Sequence, residues 1–275
     1  MNQTFSIIRF GRLLRKYFID NRGQLLANTG LLICSLFVLG AFVYQGSPGS
    51  VSELRYILFF MLGWPCWYVF TLQQTSILNQ KERAITYLMQ PASQAEKIML
   101  IWLISGLGFR VVYLSVFGML DAIGTAFVNN RNWSPEQVTV IRMQGGLFQL
   151  KSFFDEKSLS DIPAQLWVFT ALLHSFTLAF SLLVRRYTLP LVIVIAFALI
   201  IFGTVGNNML LHTLAGSSIM NSITPFAEAV AKSPSQYRTV NLPQPIGNQL
   251  RYLIGITVII LLYITAYVRL KEREV

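Results

Sequence analysis

Long stretches without a charged side chain constrain this chain more than any motif in it. An ionisable group costs roughly 2.5 to 3.5 kcal/mol at the centre of a bilayer, so uncharged runs mark the segments able to cross one. LLANTGLLICSLFVLGAFVYQG lies between Arg22 and Glu53, and YILFFMLGWPCWYVFTLQQTSILNQ between Arg55 and Lys81. Each meets the requirement of about 20 mainly apolar residues for a spanning helix. A third run, from Ile98, is interrupted by Arg110; a fourth covers Ile162 to Val184, and two shorter, purely apolar runs follow. With 54% hydrophobic and 12% charged residues, the composition is far from that of a soluble domain. The chain reads as an all-α polytopic membrane protein with six transmembrane helices, at about 27–45, 56–78, 98–120, 162–184, 189–205 and 252–268. Together they form a domain over 27–269, with a tail at 270–275.

The distribution of lysine and arginine sets the expected orientation, because basic residues near span ends stay cytoplasmic. With the N terminus inside, segments 1–26, 79–97, 185–188 and 269–275 hold thirteen basic and five acidic residues. The outer segments and their flanks hold eight basic and seven acidic, over a greater length. Both termini are therefore expected in the cytoplasm, and the net charge of +10 is a topology signal. No basic stripe interleaved with aromatics points to nucleic acid. The first apolar run is expected to be retained, since it starts late, exceeds a signal h-region and lacks a clear small-residue cleavage site. Cys34 and Cys66 fall within spans at different depths and read as packing residues.

Residues 1–26 form the first cytoplasmic-face element. At 100° per residue, FSIIRFGRLLRKYF puts Ile7, Phe10, Leu14, Tyr17 and Phe18 on one side and Arg9, Arg12, Arg15 and Lys16 on the other. This is an N-terminal amphipathic interfacial helix, either a basic anchor on anionic lipid or an elbow that positions the first span. In the loop 79–97, NQKERAITYLMQPASQAEK, a short helix is expected to stop at Pro91. Ser93 with Glu96 three residues later forms a capping box for the third span. Ala84, Ile85, Tyr87, Leu88 and Met89 are apolar for a loop, which reads either as a solvated connector or as a docking surface.

Polar residues inside the spans are few. Twelve positions at about 1.5 Å place Arg110 roughly 18 Å from the inner edge, near mid-membrane, and His174 falls at similar depth. The two are expected to border one polar cavity, as a possible substrate path. Arg110 is either bonded to helix carbonyls or in contact with an anion. Asp121 is expected to be solvated near the outer interface, Gln73 and Gln74 to hydrogen-bond between helices, and Pro65 to kink the second span. In the outer segment 129–161, Ser134-Pro135-Glu136-Gln137 is a helix start.

The basic leading helix, the Lys81–Gln90 helix followed by Pro-Ala-Ser-Gln-Ala-Glu-Lys, and SITPFAEA before the last span give this layout a likeness: it resembles the permease subunit of a bacterial type 2 ABC exporter. The resemblance implies a location in the bacterial cytoplasmic (inner) membrane and a second permease subunit, identical or related. It also implies a separate cytoplasmic ABC ATPase that docks on a coupling helix, for which the candidates are Lys81, Glu82, Arg83, Ile85, Tyr87 and Leu88. In that family the outer segment before the last span folds as short helices dipping towards the membrane, and Leu210 to Val230, within the outer segment 206–249, is similar. The 129–161 segment is longer than in a compact exporter and is a candidate site for an envelope partner.

No GxxxxGK[ST] occurs, so ATP and magnesium are expected in the partner and no cofactor or metal in this chain. The two histidines, without HExxH or GxSxG, leave zinc-protease and nucleophile-elbow chemistry without their parts. The expected function is that of a non-enzymatic permease subunit moving a substrate with a separate ATPase. The alternatives are a scaffold or accessory subunit of an envelope complex, and an unfamiliar lipid-modifying enzyme.

Overall fold

A computed structural model describes residues 5–79, 84–85, 87, 89–143, 149–155, 159, 162, 164–184, 188–215, 219–221, 229–233, 236–240 and 246–272. Six of its helices are long and apolar enough to cross a membrane, and the protein is a polytopic membrane protein whose spanning domain is all-α. The spans are Arg22–Val43, Pro48–Ser76, Gln94–Asn129, Ala164–Leu183, Thr188–Ala215 and Ile246–Glu272. All but span four, expected at 162–184, run past the predicted bounds at one end or both, because a helix continues until its backbone meets a stop, not until its side chains turn polar. Span two is the clearest instance. It starts at Pro48, where a missing N–H is harmless at a helix start, and so takes in Glu53 and Arg55.

Span four forms the centre of the packing, against span six on one side and span two on another, while spans one and three pair with each other and with span two. Span five lies outside this group, and among its described residues only Val192 is buried. Glycines set the close approaches. A Cβ on Gly124 would lie 2.5 Å from the Tyr44 ring, and one on Gly255 2.6 Å from Val168. We refer to the end of the bundle that carries the leading helix as proximal and to the opposite end as distal.

The leading helix, Ile7–Asp20, buries Leu13 and half-buries Phe10, Leu14 and Tyr17 against Leu100, Ile104 and Phe70. Its apolar arc is wider than this contact. Ile7, Phe18 and Ile19 remain exposed, the arrangement of a helix shared between protein and lipid. Two polar clips hold it: the Tyr17 hydroxyl donates to Gln74, and Glu96 Oε1 accepts from Ser6 N at 2.6 Å and from Arg9 at 3.0 Å. Burial pushes the Tyr17 hydroxyl up to about 12, against the opposing effect of its bond to Gln74, so it stays a donor near neutrality. The predicted capping box is present, with Glu96 N on Ser93 Oγ at 3.2 Å and Ser93 N on Glu96 Oε2 at 2.9 Å. Gln73 accepts from Asn28 at 2.8 Å, so both glutamines link helices as expected.

At the distal end, Asp121 departs from expectation. It is fully buried, not solvated. Its carboxylate accepts from the Tyr44 hydroxyl at 2.7 Å, from Phe153 N at 2.7 Å and from Ser152 Oγ at 3.2 Å, and it faces Arg55 at 3.5 Å. Arg55 also donates to the Lys151 carbonyl at 2.5 Å. Residues 150–153 are thereby strapped across spans one to three, and Asn129 closes the strap by bonding both N–H and C=O of Leu150. Phe153 is inserted among Phe59, Phe117 and Tyr56 with ring centroids 4.9–5.1 Å away. Beyond it, helix Pro135–Met143 begins with the predicted box, Gln137 N on Ser134 Oγ at 3.3 Å and the reciprocal bond at 3.1 Å.

Between spans five and six, short helices were expected and strands are found. Ile219–Asn221, Ala229–Ser233 and Gln236–Val240 form an antiparallel sheet in that order, with Val230 opposite Thr239 and Ser233 opposite Gln236. Apolar content alone does not separate a dipping helix from a strand, whereas β-branched residues such as Val230, Thr239 and Val240 favour the pleated pairing. Most of SITPFAEA lies outside the described residues.

Two substitutions test the distal strap. Asp121→Asn should destabilise the protein by about 3–5 kcal/mol, because it removes the negative member of the buried pair that Asp121 forms with Arg55. Gly124→Ala, which drives a methyl into Tyr44, should cost about 1–3 kcal/mol. Thermal unfolding of the detergent-purified protein checks both.

Candidate functional site

In the third span the helix changes register. Leu103–Gly108 is π-helical, between α-helical Gln94–Trp102 and Phe109–Asn129. The Phe109 N–H bonds the Ile104 and Gly106 carbonyls, and the Ser105 carbonyl between them accepts the Trp67 indole N–H at 2.5 Å. Such a segment leaves backbone groups for side chains to satisfy, which is why π-bulges occur so often at functional sites. Trp67 therefore reads the irregularity from span two, which runs as one helix through Pro65.

His174 packs on the same segment. It is buried, its ring stacks on Trp67 at 5.1 Å, and a Cβ on Gly106 would lie 3.1 Å from its Cε1. Ser105 Oγ donates to the Ile101 carbonyl at 2.7 Å and so has no further proton to give. The 3.0 Å contact between Ser105 Oγ and His174 Nε2 is then donated by Nε2–H, and Nδ1 shares a hydrogen bond with the Tyr263 hydroxyl at 2.8 Å. Both ring nitrogens are used. His174 is a clamp joining spans three, four and six.

Arg110 lies just beyond the π segment, with its guanidinium carbon 4.6 Å from the centre of the Trp67 ring. This is cation–π distance. Among the described residues Arg110 makes no hydrogen bond or ion pair, so the reading in which it bonds helix carbonyls finds no support here. Instead it lines a cavity of about 310 Å³ with Trp64, Trp67, Trp167, Phe109 and Tyr113. The cavity walls are almost wholly aromatic and aliphatic, with Thr170 and the arginine as polar exceptions.

Arg110 and His174 thus do not border one polar cavity. Trp67 contacts both, but only Arg110 reaches the cavity, and the cavity is apolar. Depth counted along a helix brings two residues to one level; the face each presents depends on the local register, which the π segment alters. The aromatic wall was legible only as a high tryptophan content in GWPCWY and at Trp167. The sole hint of the π segment was the small-residue run LISGLG.

The proximal candidates divide. Lys81, Glu82, Arg83 and Leu88 lie outside the described residues. Ile85 is half exposed and Met89 is 78% exposed, whereas Tyr87 is half-buried and its hydroxyl donates to the Lys97 carbonyl at 3.2 Å. Bonds from Met89 N to Ile85 O at 2.9 Å and from Gln90 N to Tyr87 O at 3.3 Å carry a helical turn up to Pro91. Among the described residues no cluster of His, Cys, Asp or Glu is suited to a metal. Both cysteines are free.

No protein-family model, curated protein or solved structure matches this chain.

Trp67→Phe keeps a ring beneath Arg110 and beside His174 but removes the indole donor from the buried Ser105 carbonyl. Thermal unfolding should register a loss of about 1–3 kcal/mol. If stability is unchanged, the indole bond does not hold the π segment.

Proposed function

We propose that this protein is the membrane permease subunit of an ATP-driven exporter, with ATP hydrolysed in a separate cytoplasmic subunit that docks at residues 81–90. The observation that carries the reading is the proximal turn. Ile85 and Met89 present apolar surface while Tyr87 ties the same turn to the start of span three, and Glu96 locks that start to the leading helix. A push on this turn is delivered to span three, whose π segment and Arg110 lie further along the same helix. The chain contains no P-loop, and the engine in this reading is the partner.

The aromatic cavity is the proposed substrate contact. A guanidinium with no hydrogen-bond or ion-pair partner among the described residues, above an indole and among apolar walls, favours an amphiphile with an anionic group, since lipid tails alone would leave that charge uncompensated. Two permease subunits in a bacterial inner membrane, with both termini cytoplasmic, complete the proposal. The basic residues on the leading helix and at Arg269 and Lys271 support that orientation.

Purification under mild detergent should recover a soluble ATPase with the chain; recovery of none sinks the exporter reading, and recovery of an envelope protein through segment 129–161 favours the scaffold. Charge reversal at Glu82 or Arg83 should leave the spans folded and lower transport per ATP hydrolysed. Arg110→Gln should reduce transport roughly tenfold while leaving expression intact, the loss of one charge-assisted contact. Unchanged transport would remove Arg110 from the path.

A further inference from the structure

The aromatic cavity opens on the flank of the bundle, at mid-depth in the membrane. Its floor is one face of span two, where Phe60, Trp64 and Trp67 recur at i, i+4 and i+7. Span three contributes Arg110 and Leu114, and span four contributes Trp167; these three are exposed, whereas Phe60, Trp67 and Tyr113 behind them are buried. The mouth therefore lies between spans three and four. We propose that this groove binds a compact lipophilic anion: a single anionic group on an aromatic body of about two rings that carries no hydrogen-bond donor. The inference rests on the reading of the cavity as the substrate contact and narrows that substrate to a chemical class.

The anion follows from where the acids of this chain stand. Arg110 comes fourteen residues after Glu96 and eleven before Asp121, which is about 21 Å and about 17 Å along the helix. Both acids are engaged already, Glu96 by Ser6, Arg9 and Ser93, and Asp121 by Tyr44, Arg55 and Phe153. The other acids within the six spans, Glu53 and Glu272, stand close to helix ends. A second copy of this chain thus brings no carboxylate to the level of Arg110. A guanidinium on the flank at that depth still needs an anion. A phospholipid is the wrong shape for it, because its phosphate lies at the surface, about 15 Å from the midplane of a core about 30 Å thick.

The body of the ligand follows from the hydrogen bonds of the wall. Trp64 donates to Thr170 Oγ1 at 3.1 Å, Thr170 to the Leu166 carbonyl at 2.6 Å, Trp67 to the Ser105 carbonyl at 2.5 Å and Tyr113 to the Phe59 carbonyl at 2.6 Å. Among the described residues lining the cavity, the side-chain N–H groups left over belong to Arg110 and to Trp167 at the mouth, and both are donors only. A ligand hydroxyl or ammonium would leave its own protons unmatched, whereas one anion answers both donors. The surrounding rings offer faces and edges to an aromatic body. A volume of about 310 Å³ is roughly twice that of a cavity that takes up benzene, hence two rings.

Equilibrium binding of radiolabelled 2-naphthoate and 2-naphthylmethanol to the full-length protein in phosphatidylcholine nanodiscs tests this, with empty nanodiscs subtracted. The acid should bind roughly tenfold more tightly than the alcohol. Arg110→Gln should erase that preference while binding the alcohol as the natural protein does, which shows the groove intact; Arg131→Gln, at the distal end, should preserve it. As competitors, 6-hydroxy-2-naphthoate, with one added donor, and decahydro-2-naphthoate, without aromatic rings, should each be roughly tenfold weaker than 2-naphthoate. Equal binding of acid and alcohol, a preference that survives Arg110→Gln, saturable binding of neither, or equal competition by either analogue overturns the proposal. No ATPase is present in this measurement, so its failure leaves the ATPase-recovery test of the exporter reading untouched, and a bound acid without a recovered ATPase sinks the exporter alone.

Discussion

Asp121 is an ionisable side chain with no access to water, inside a bundle whose surroundings offer no alternative partner. Its carboxylate must be satisfied by the protein, and four groups from three parts of the chain converge on it: the Tyr44 hydroxyl, Arg55, Ser152 and the Phe153 amide. Removing water from a carboxylate and a guanidinium costs several kcal/mol for each, and only dense hydrogen bonding of this kind offsets it. The node thus requires spans one, two and three to meet at one depth. It also requires the segment after helix Pro135–Met143 to return and cover them. Phe153, carried in by its own amide bond to Asp121, completes the aromatic core beneath.

The same logic recurs at the opposite end with different parts. Glu96 is buried and accepts from the leading helix and from its own cap, so one carboxylate ends span three and fixes the angle of Ile7–Asp20. Span three is therefore held at each end by a buried acid. Between the acids its hydrogen-bond register is irregular, and there Trp67 and His174 take up the polar groups that the irregularity presents.

Periodicity in the leading helix was read as two faces, and the tertiary structure divides it into three. One part of the apolar arc meets Leu100 and Ile104, another faces outward through Ile7 and Phe18, and the Lys16–Asp20 stripe borders a cavity. A projection onto a circle separates apolar from charged residues. It has no term for where the neighbouring helix stops.

What the residues determined by themselves was what depends on local chemistry: the six apolar runs, the helix starts at Ser93 and Ser134, and the amphipathic opening helix. Each rests on groups within a few positions of one another, and the capping boxes at both serines hold to the atom. Tertiary structure decided whatever joins residues far apart. Asp121 looked solvated because a carboxylate near a span end has water within reach until another segment covers it, and that cover comes from residues 150–153. Arg110 and His174 were level in depth, yet a π segment and one indole put them in different surroundings. Depth follows from counting residues; facing depends on helix register and on what is packed opposite, and neither is carried by a single stretch of sequence.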